Sequence, residues 1–154
     1  MIKTTLSALC VALSLGLGAA FAAEPQHEVK QVIDLQATSS LHAFRFEPSY
    51  LRIAKGEVVR FTGSTGRHTV SSIPGMIPDG AKPFEIRGKP VMDLAFDVEG
   101  VYGVRCRVHG RHGMVMLLVV GEDRANLPTA RERVKRVKPA EQVQFIDLFK
   151  KLDE

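Results

Sequence analysis

The segment Cys106-Arg107-Val108-His109-Gly110-Arg111-His112-Gly113-Met114 constrains this chain more than any other stretch. It places a thiol, two imidazoles and a thioether just before the apolar run Val115 to Val120. Such a segment reads as a loop between two strands. Cys106 ends one strand, the turn returns His109, and Met114 opens the next strand. Turns this tight need glycine, and Gly110 and Gly113 stand where the chain must reverse. One Cys, one His and one weak Met, completed by a His from elsewhere, is the ligand set of a mononuclear copper site that transfers electrons. His68, in a separate β-type run, is the candidate for that second His.

The rest of the chain supplies short β-type runs at close spacing. Val29 to Leu35 alternates roughly, Tyr50 to Ile53 precedes the Lys55-Gly56 turn, and Val58 to Thr62 is followed by Gly63 and Gly66. His68 to Ser72 ends at Pro74-Gly75. Val91 to Val98 alternates, and Gly100 and Gly103 bracket Val101-Tyr102. Many short strands between glycine and proline turns predict an all-β antiparallel sandwich or barrel. The end of the chain is different. Thr129-Ala130-Arg131-Glu132 has the form of a capping box with Thr129 at the N-cap. Pro139 suits the first position of a second helix. Phe145, Leu148, Phe149 and Leu152 give that helix one apolar face. Two C-terminal α-helices are expected, the second folded back on the sandwich.

The beginning of the chain reads as a leader. Met1-Ile2-Lys3 is basic, Leu6 to Ala20 is apolar or small, and Ala20-Phe21-Ala22 fits the small-x-small cleavage rule. Residues 1–22 are therefore expected to be a cleaved secretory signal peptide. The run is short for a membrane span. Its Cys10 follows Leu9 rather than the small residue usual before a lipid-attachment cysteine, so Cys10 is discarded with the leader. Cys106 then has no internal disulfide partner, which leaves metal coordination, an intermolecular bond or a free thiol. No linker, repeat or low-complexity tract divides the remainder. Residues 23–121 are expected to form a copper-binding domain, with residues 122–154 as a helical extension packed on it.

A formal net charge of +4 is a modest basic excess that suits an acidic partner. The basic run Arg131 to Lys138 is interrupted by Glu132 and apolar residues, and export disfavours nucleic acid, so it reads as a solvated helix face. Each metal donor also has an ordinary reading: Met114 as core, His68 as a satisfied histidine, Cys106 as an inert thiol. Their joint spacing singles them out. Zinc is the competing metal. Structural zinc rarely takes a thioether, and catalytic zinc usually adds a carboxylate or a third His, for which His112 is available.

With these motifs in place, the chain resembles the cupredoxins, and among them the pseudoazurins. The resemblance runs from about Phe46 to the C-terminus, through Phe46-Glu47-Pro48, Lys55-Gly56-Glu57-Val58-Val59, His68-Thr69-Val70 and Met76-Ile77-Pro78-Asp79-Gly80-Ala81. It continues through Gly100-Val101-Tyr102, the Cys106 to Met114 loop, Val119-Val120-Gly121 and Ala125-Asn126-Leu127. It implies a Greek-key β-sandwich of eight strands with two added helices. It also implies one type 1 copper, held by His68, Cys106, His109 and Met114. The function implied is single-electron shuttling in the periplasm, with partners such as copper nitrite reductase or a c-type cytochrome. A carrier of this kind is monomeric, is not an enzyme, and binds neither nucleic acid nor membrane.

Four departures from that family surround the expected site. Thr69 stands where Asn is usual, and Arg107 where Thr is usual, so the bond that normally joins the two loops must be made differently or not at all. Val108 replaces the usual Pro, and its N–H is free to donate to the Cys106 sulfur and so tune the potential. Gly110, Arg111 and His112 replace part of an apolar ring around His109, and with Arg107 they suggest a basic docking loop for an acidic redox partner. Arg105 and Arg107 flank Cys106 where multicopper oxidases place histidines, which argues against a copper enzyme. The alternative function is periplasmic copper binding and delivery. His27, His42 and Met76 are too scattered to form a second, exchange-ready site for it.

Overall fold

The computed structural model describes residues 24–63 and 68–154; the expected signal peptide lies outside the described residues. Among the described residues nine strands form two sheets. They are β1 (His27–Ile33), β2 (Phe44–Glu47), β3 (Tyr50–Ile53), β4 (Val58–Thr62), β5 (Thr69–Ser72), β6 (Glu85–Arg87), β7 (Met92–Ala95), β8 (Gly100–Arg105) and β9 (Val115–Val120). The first sheet runs β2-β1-β4-β7 and the second β3-β9-β8-β5-β6. Pairing is antiparallel except for β1 with β4 and β3 with β9. The all-β sandwich with two C-terminal helices is therefore the observed fold.

The run Val115 to Val120 is apolar throughout because β9 is buried on both faces. Successive strand residues point to opposite sides. Met116, Leu118 and Val120 face the core between the sheets, where they meet Val29, Phe46, Val59, Phe61, Tyr102 and Val104. Val115, Leu117 and Val119 face a second core under the helices, with Phe145, Leu148, Phe149 and Leu152. The period-four pattern of those last residues thus marks the face that α3 (Pro139–Asp153) lays on the outer side of the second sheet.

Three local expectations change. A short helix α1 (Ser40–Ala43) stands between β1 and β2, capped by the Ser39 side chain accepting from the Leu41 N–H. The strand β6 is a ninth strand where eight were implied. The capping box falls at α3 rather than at α2 (Leu127–Val134): the Lys138 N–H donates to Glu141 Oε2 at 3.0 Å. Thr129 lies inside α2. Asn126 precedes that helix, but its side chain is already committed to β8, accepting from the Val101 N–H at 2.9 Å and donating to the Val101 carbonyl at 2.8 Å.

Because Phe145 is fully buried while Ile146 beside it is 53% exposed, truncation should separate them sharply. Phe145→Ala is expected to lower unfolding free energy by about 3–5 kcal/mol. Ile146→Ala should change it by less than about 0.5 kcal/mol, both read by urea denaturation.

Candidate metal centre

The strands β8 and β9 form a hairpin, and strand parity places its two sulfur residues side by side. Val104 pairs with Met116 and Arg105 with Val115. One step on, the Cys106 N–H donates to the Met114 carbonyl at 3.0 Å. Cys106 and Met114 both belong to the core between the sheets, and both are completely buried. The loop between them is wound by its own backbone: Gly110 N–H to the Cys106 carbonyl at 2.7 Å and Gly113 N–H to the Gly110 carbonyl at 2.9 Å, around a single 3-10 turn, Gly110–His112. Gly113 has φ +87°, the left-handed region that favours glycine, and a Cβ there would crowd Gln144 and Leu41.

His68 lies just ahead of β5 and enters from the neighbouring strand. The donor atoms of His68, Cys106 and His109 all lie within 4.8 Å of one another. Among the described residues no carboxylate joins this group. His112 also stands outside it: its Nε2 accepts from Arg111 Nε at 3.0 Å and its ring faces Phe44. The third imidazole that zinc would need is therefore absent from the cluster.

Two observations test whether these residues suit a metal. First, His68 is 1% exposed, yet neither of its ring nitrogens has a hydrogen-bond partner. A buried imidazole with two orphaned nitrogens is costly unless a ligand completes it. Second, the sulfur is prepared as a thiolate. Burial alone would raise the Cys106 pKa, but the adjoining His68 imidazole and backbone N–H groups of His109, Thr69 and Val108 bring it down to about 7. The N–H groups of Thr69 and His109 each lie 3.5 Å from Sγ with hydrogen-bond geometry. Val108 contributes the least of the three, and its N–H makes no bond of that quality. Burial, then His68, His112 and Arg111, hold the His109 imidazole below its usual range, the direction that favours a neutral ring. A cysteine sulfur, two imidazoles and a nearby thioether fit copper.

The unusual pair Thr69 and Arg107 joins the loops after all. The Arg107 backbone N–H donates to Thr69 Oγ1 at 2.8 Å, while Thr69 N–H serves the sulfur. The Arg107 guanidinium points elsewhere and pairs with Glu85. Desolvation would raise the Glu85 carboxyl, but Arg107 and Arg87 hold it below its ordinary value. Arg107 is therefore a partly neutralised member of the expected basic loop, whereas Arg111 has no carboxylate partner among the described residues.

Two contributors had escaped the sequence reading. The Phe44 ring stacks on His109, with centroids 4.2 Å apart and planes 8° from parallel. The alternation Phe44-Arg45-Phe46-Glu47 was the available signal for a short strand there. Glu141 is fully buried against Gly110, a contact between residues of the loop and of α3 that no local pattern encodes.

Residues 33–121 match the family described as copper binding proteins, plastocyanin/azurin family. A pseudoazurin of Methylorubrum extorquens is 40% identical over 86 residues, 56% of this chain and 58% of that protein. A pseudoazurin of Paracoccus pantotrophus is 34% identical over 89 residues, 58% of this chain and 61% of that protein. In sequence, the chain thus matches little more than half the length of these curated relatives. The crystal structure of pseudoazurin from Methylobacterium extorquens AM1 superposes with a TM-score of 0.72 at 31% identity, covering 81% of this chain and 97% of that one.

Thr69→Val removes the acceptor of the Arg107 N–H while keeping the shape of the side chain. It is expected to destabilise the metal-free protein by about 1–2 kcal/mol, the cost of one partly buried unmet donor, in urea unfolding.

Proposed function

This chain belongs to the plastocyanin/azurin family of copper-binding proteins, and we propose that it is a soluble periplasmic carrier of single electrons rather than an enzyme. Its one copper would be held by His68, Cys106 and His109, with Met114 as the weak fourth donor. When bound there, copper supplies a one-electron couple between Cu(II) and Cu(I). The observation that carries this reading is the buried His68 ring, whose nitrogens are both unpartnered and one of which lies within 4.8 Å of the Cys106 sulfur.

The protein's own residues do the remaining work. Thr69 and His109 N–H groups hold the sulfur in place and stabilise its negative charge. The packed core around Cys106 and Met114 excludes water and leaves the donors little room to move between oxidation states. That burial also favours a carrier over a copper-delivery protein, whose site must open to exchange its cargo. His109 is only partly buried, so its edge is where a partner comes nearest the centre. Redox proteins such as copper nitrite reductase or a c-type cytochrome would dock there. Arg111, with support from His112 and the partly neutralised Arg107, would attract an acidic face. Export rests on the leader at residues 1–22.

Three measurements check this reading. Cu(II) titration of the mature protein should give one copper per chain and an intense visible thiolate band. Cys106→Ser should abolish that band, and a persistent band would refute the ligand assignment. Reduction by an acidic redox partner should slow as ionic strength rises. Arg111→Glu should slow it several-fold at low salt, and a rate indifferent to both changes would sink the docking loop.

A further inference from the structure

Beneath the ligand loop lies a buried carboxylate with no part in the reading above. Glu141, in the first turn of α3, is 0% exposed. Its Oε2 accepts the Lys138 N–H at 3.0 Å and lies 3.7 Å from Arg105 Nη1. Its Oε1 has no hydrogen-bond partner. That oxygen lies against Gly110, where any Cβ would run into it. Arg105 immediately precedes Cys106 on the chain, and its Nε is unpartnered as well. The pair therefore spans from α3 to the strand that leads into Cys106 and to the loop that carries His109.

Helix capping does not account for this arrangement. A neutral Gln at the third helical position caps equally well. A buried carboxylate with one bare oxygen and an imperfectly paired cation is unfavourable by comparison. What Gln cannot supply is negative charge close to the ligands. The cation of the pair is 22% exposed and the anion 1%, so water screens Arg105 more than Glu141. The carboxylate of the pair is therefore the less screened of the two charges beneath the loop.

We propose that Glu141, balanced by Arg105, is a positioning residue that sets the reduction potential of the copper centre, its buried charge favouring the oxidised form and its packing on Gly110 holding the loop that carries His109. This rests on the electron-carrier reading. The oxidised centre carries one more positive charge than the reduced one. A nearby anion therefore lowers the potential and a nearby cation raises it.

The test is spectroelectrochemical titration of copper-loaded Glu141→Gln and Arg105→Gln, after copper content and the visible band have been measured. Glu141→Gln should raise the potential and Arg105→Gln should lower it. Each should shift the ratio of Cu(II) to Cu(I) affinities by up to about tenfold, which converts to about 59 mV for a one-electron couple. Unchanged potentials, or shifts of the same sign, would overturn the proposal and leave Glu141 as a helix cap alone. Should Glu141→Gln fail to fold, Arg105→Gln decides by itself: a lowered potential supports the proposal, and an unchanged or raised one overturns it. A wild-type protein that takes up no copper or shows no thiolate band removes the carrier reading and this one together. A normal band with unmoved potentials removes only this one.

Discussion

The rest of the site depends on a buried sulfur that is stabilised as a thiolate. Cys106 sits where β8 ends, completely enclosed, and an unassisted thiolate in such a place would take up a proton. The His68 imidazole and backbone donors from two separate segments oppose this: Thr69 from β5 and His109 from the loop, both at 3.5 Å. Hydrogen bonds to a charged acceptor contribute about 1.5–3 kcal/mol each, enough to offset the desolvation that burial imposes. The Arg107 N–H bonded to Thr69 Oγ1 ties those two segments together. Thr69 thereby uses both its backbone and its side chain to fix the same neighbourhood.

The stiffness of this arrangement comes from β9. Its two faces are buried in different cores, one shared with the opposite sheet and one with α2 and α3. A strand packed on both sides has little freedom to shift, and interiors of this density transmit strain rather than absorb it. Met114, immediately ahead of that strand, inherits the constraint. The loop is held from outside as well, since Gln144 of α3 donates to the Leu41 carbonyl of α1 at 3.2 Å across Gly113. The C-terminal helix is thus part of the scaffold that fixes the donors.

Charge around the loop is graded by burial. Glu141 and Arg105 lie under it, where water screens the carboxylate little. Arg107 and Glu85 sit at its flank, and Arg111 stands exposed. In the proposed carrier, inner charges would act on the stability of the two oxidation states, and outer ones on encounter with partners. Phe44 stacks on the face of the His109 ring, and its own centroid lies 5.1 Å from that of His112.

The candidate donors were legible in the sequence because their chemistry and spacing are local. Cys106, His109 and Met114 lie on one hairpin, and the apolar run behind them reads as a buried-type strand. The helical period of Phe145 to Leu152 was likewise a local signal. What the sequence could not state were relations between distant segments. Thr69 and Cys106 are 37 positions apart, and Gln144 and Leu41 are 103 apart. Asn126 spends its side chain on β8 instead of capping its own helix, while Glu141 becomes the cap of α3 and the floor beneath Gly110. Side-chain chemistry and periodicity determined the candidate donors and the kind of fold. Only tertiary packing decided which histidine faces the sulfur, which ring covers His109 and which charge lies beneath the loop, because burial and contact are properties of surfaces brought together by folding.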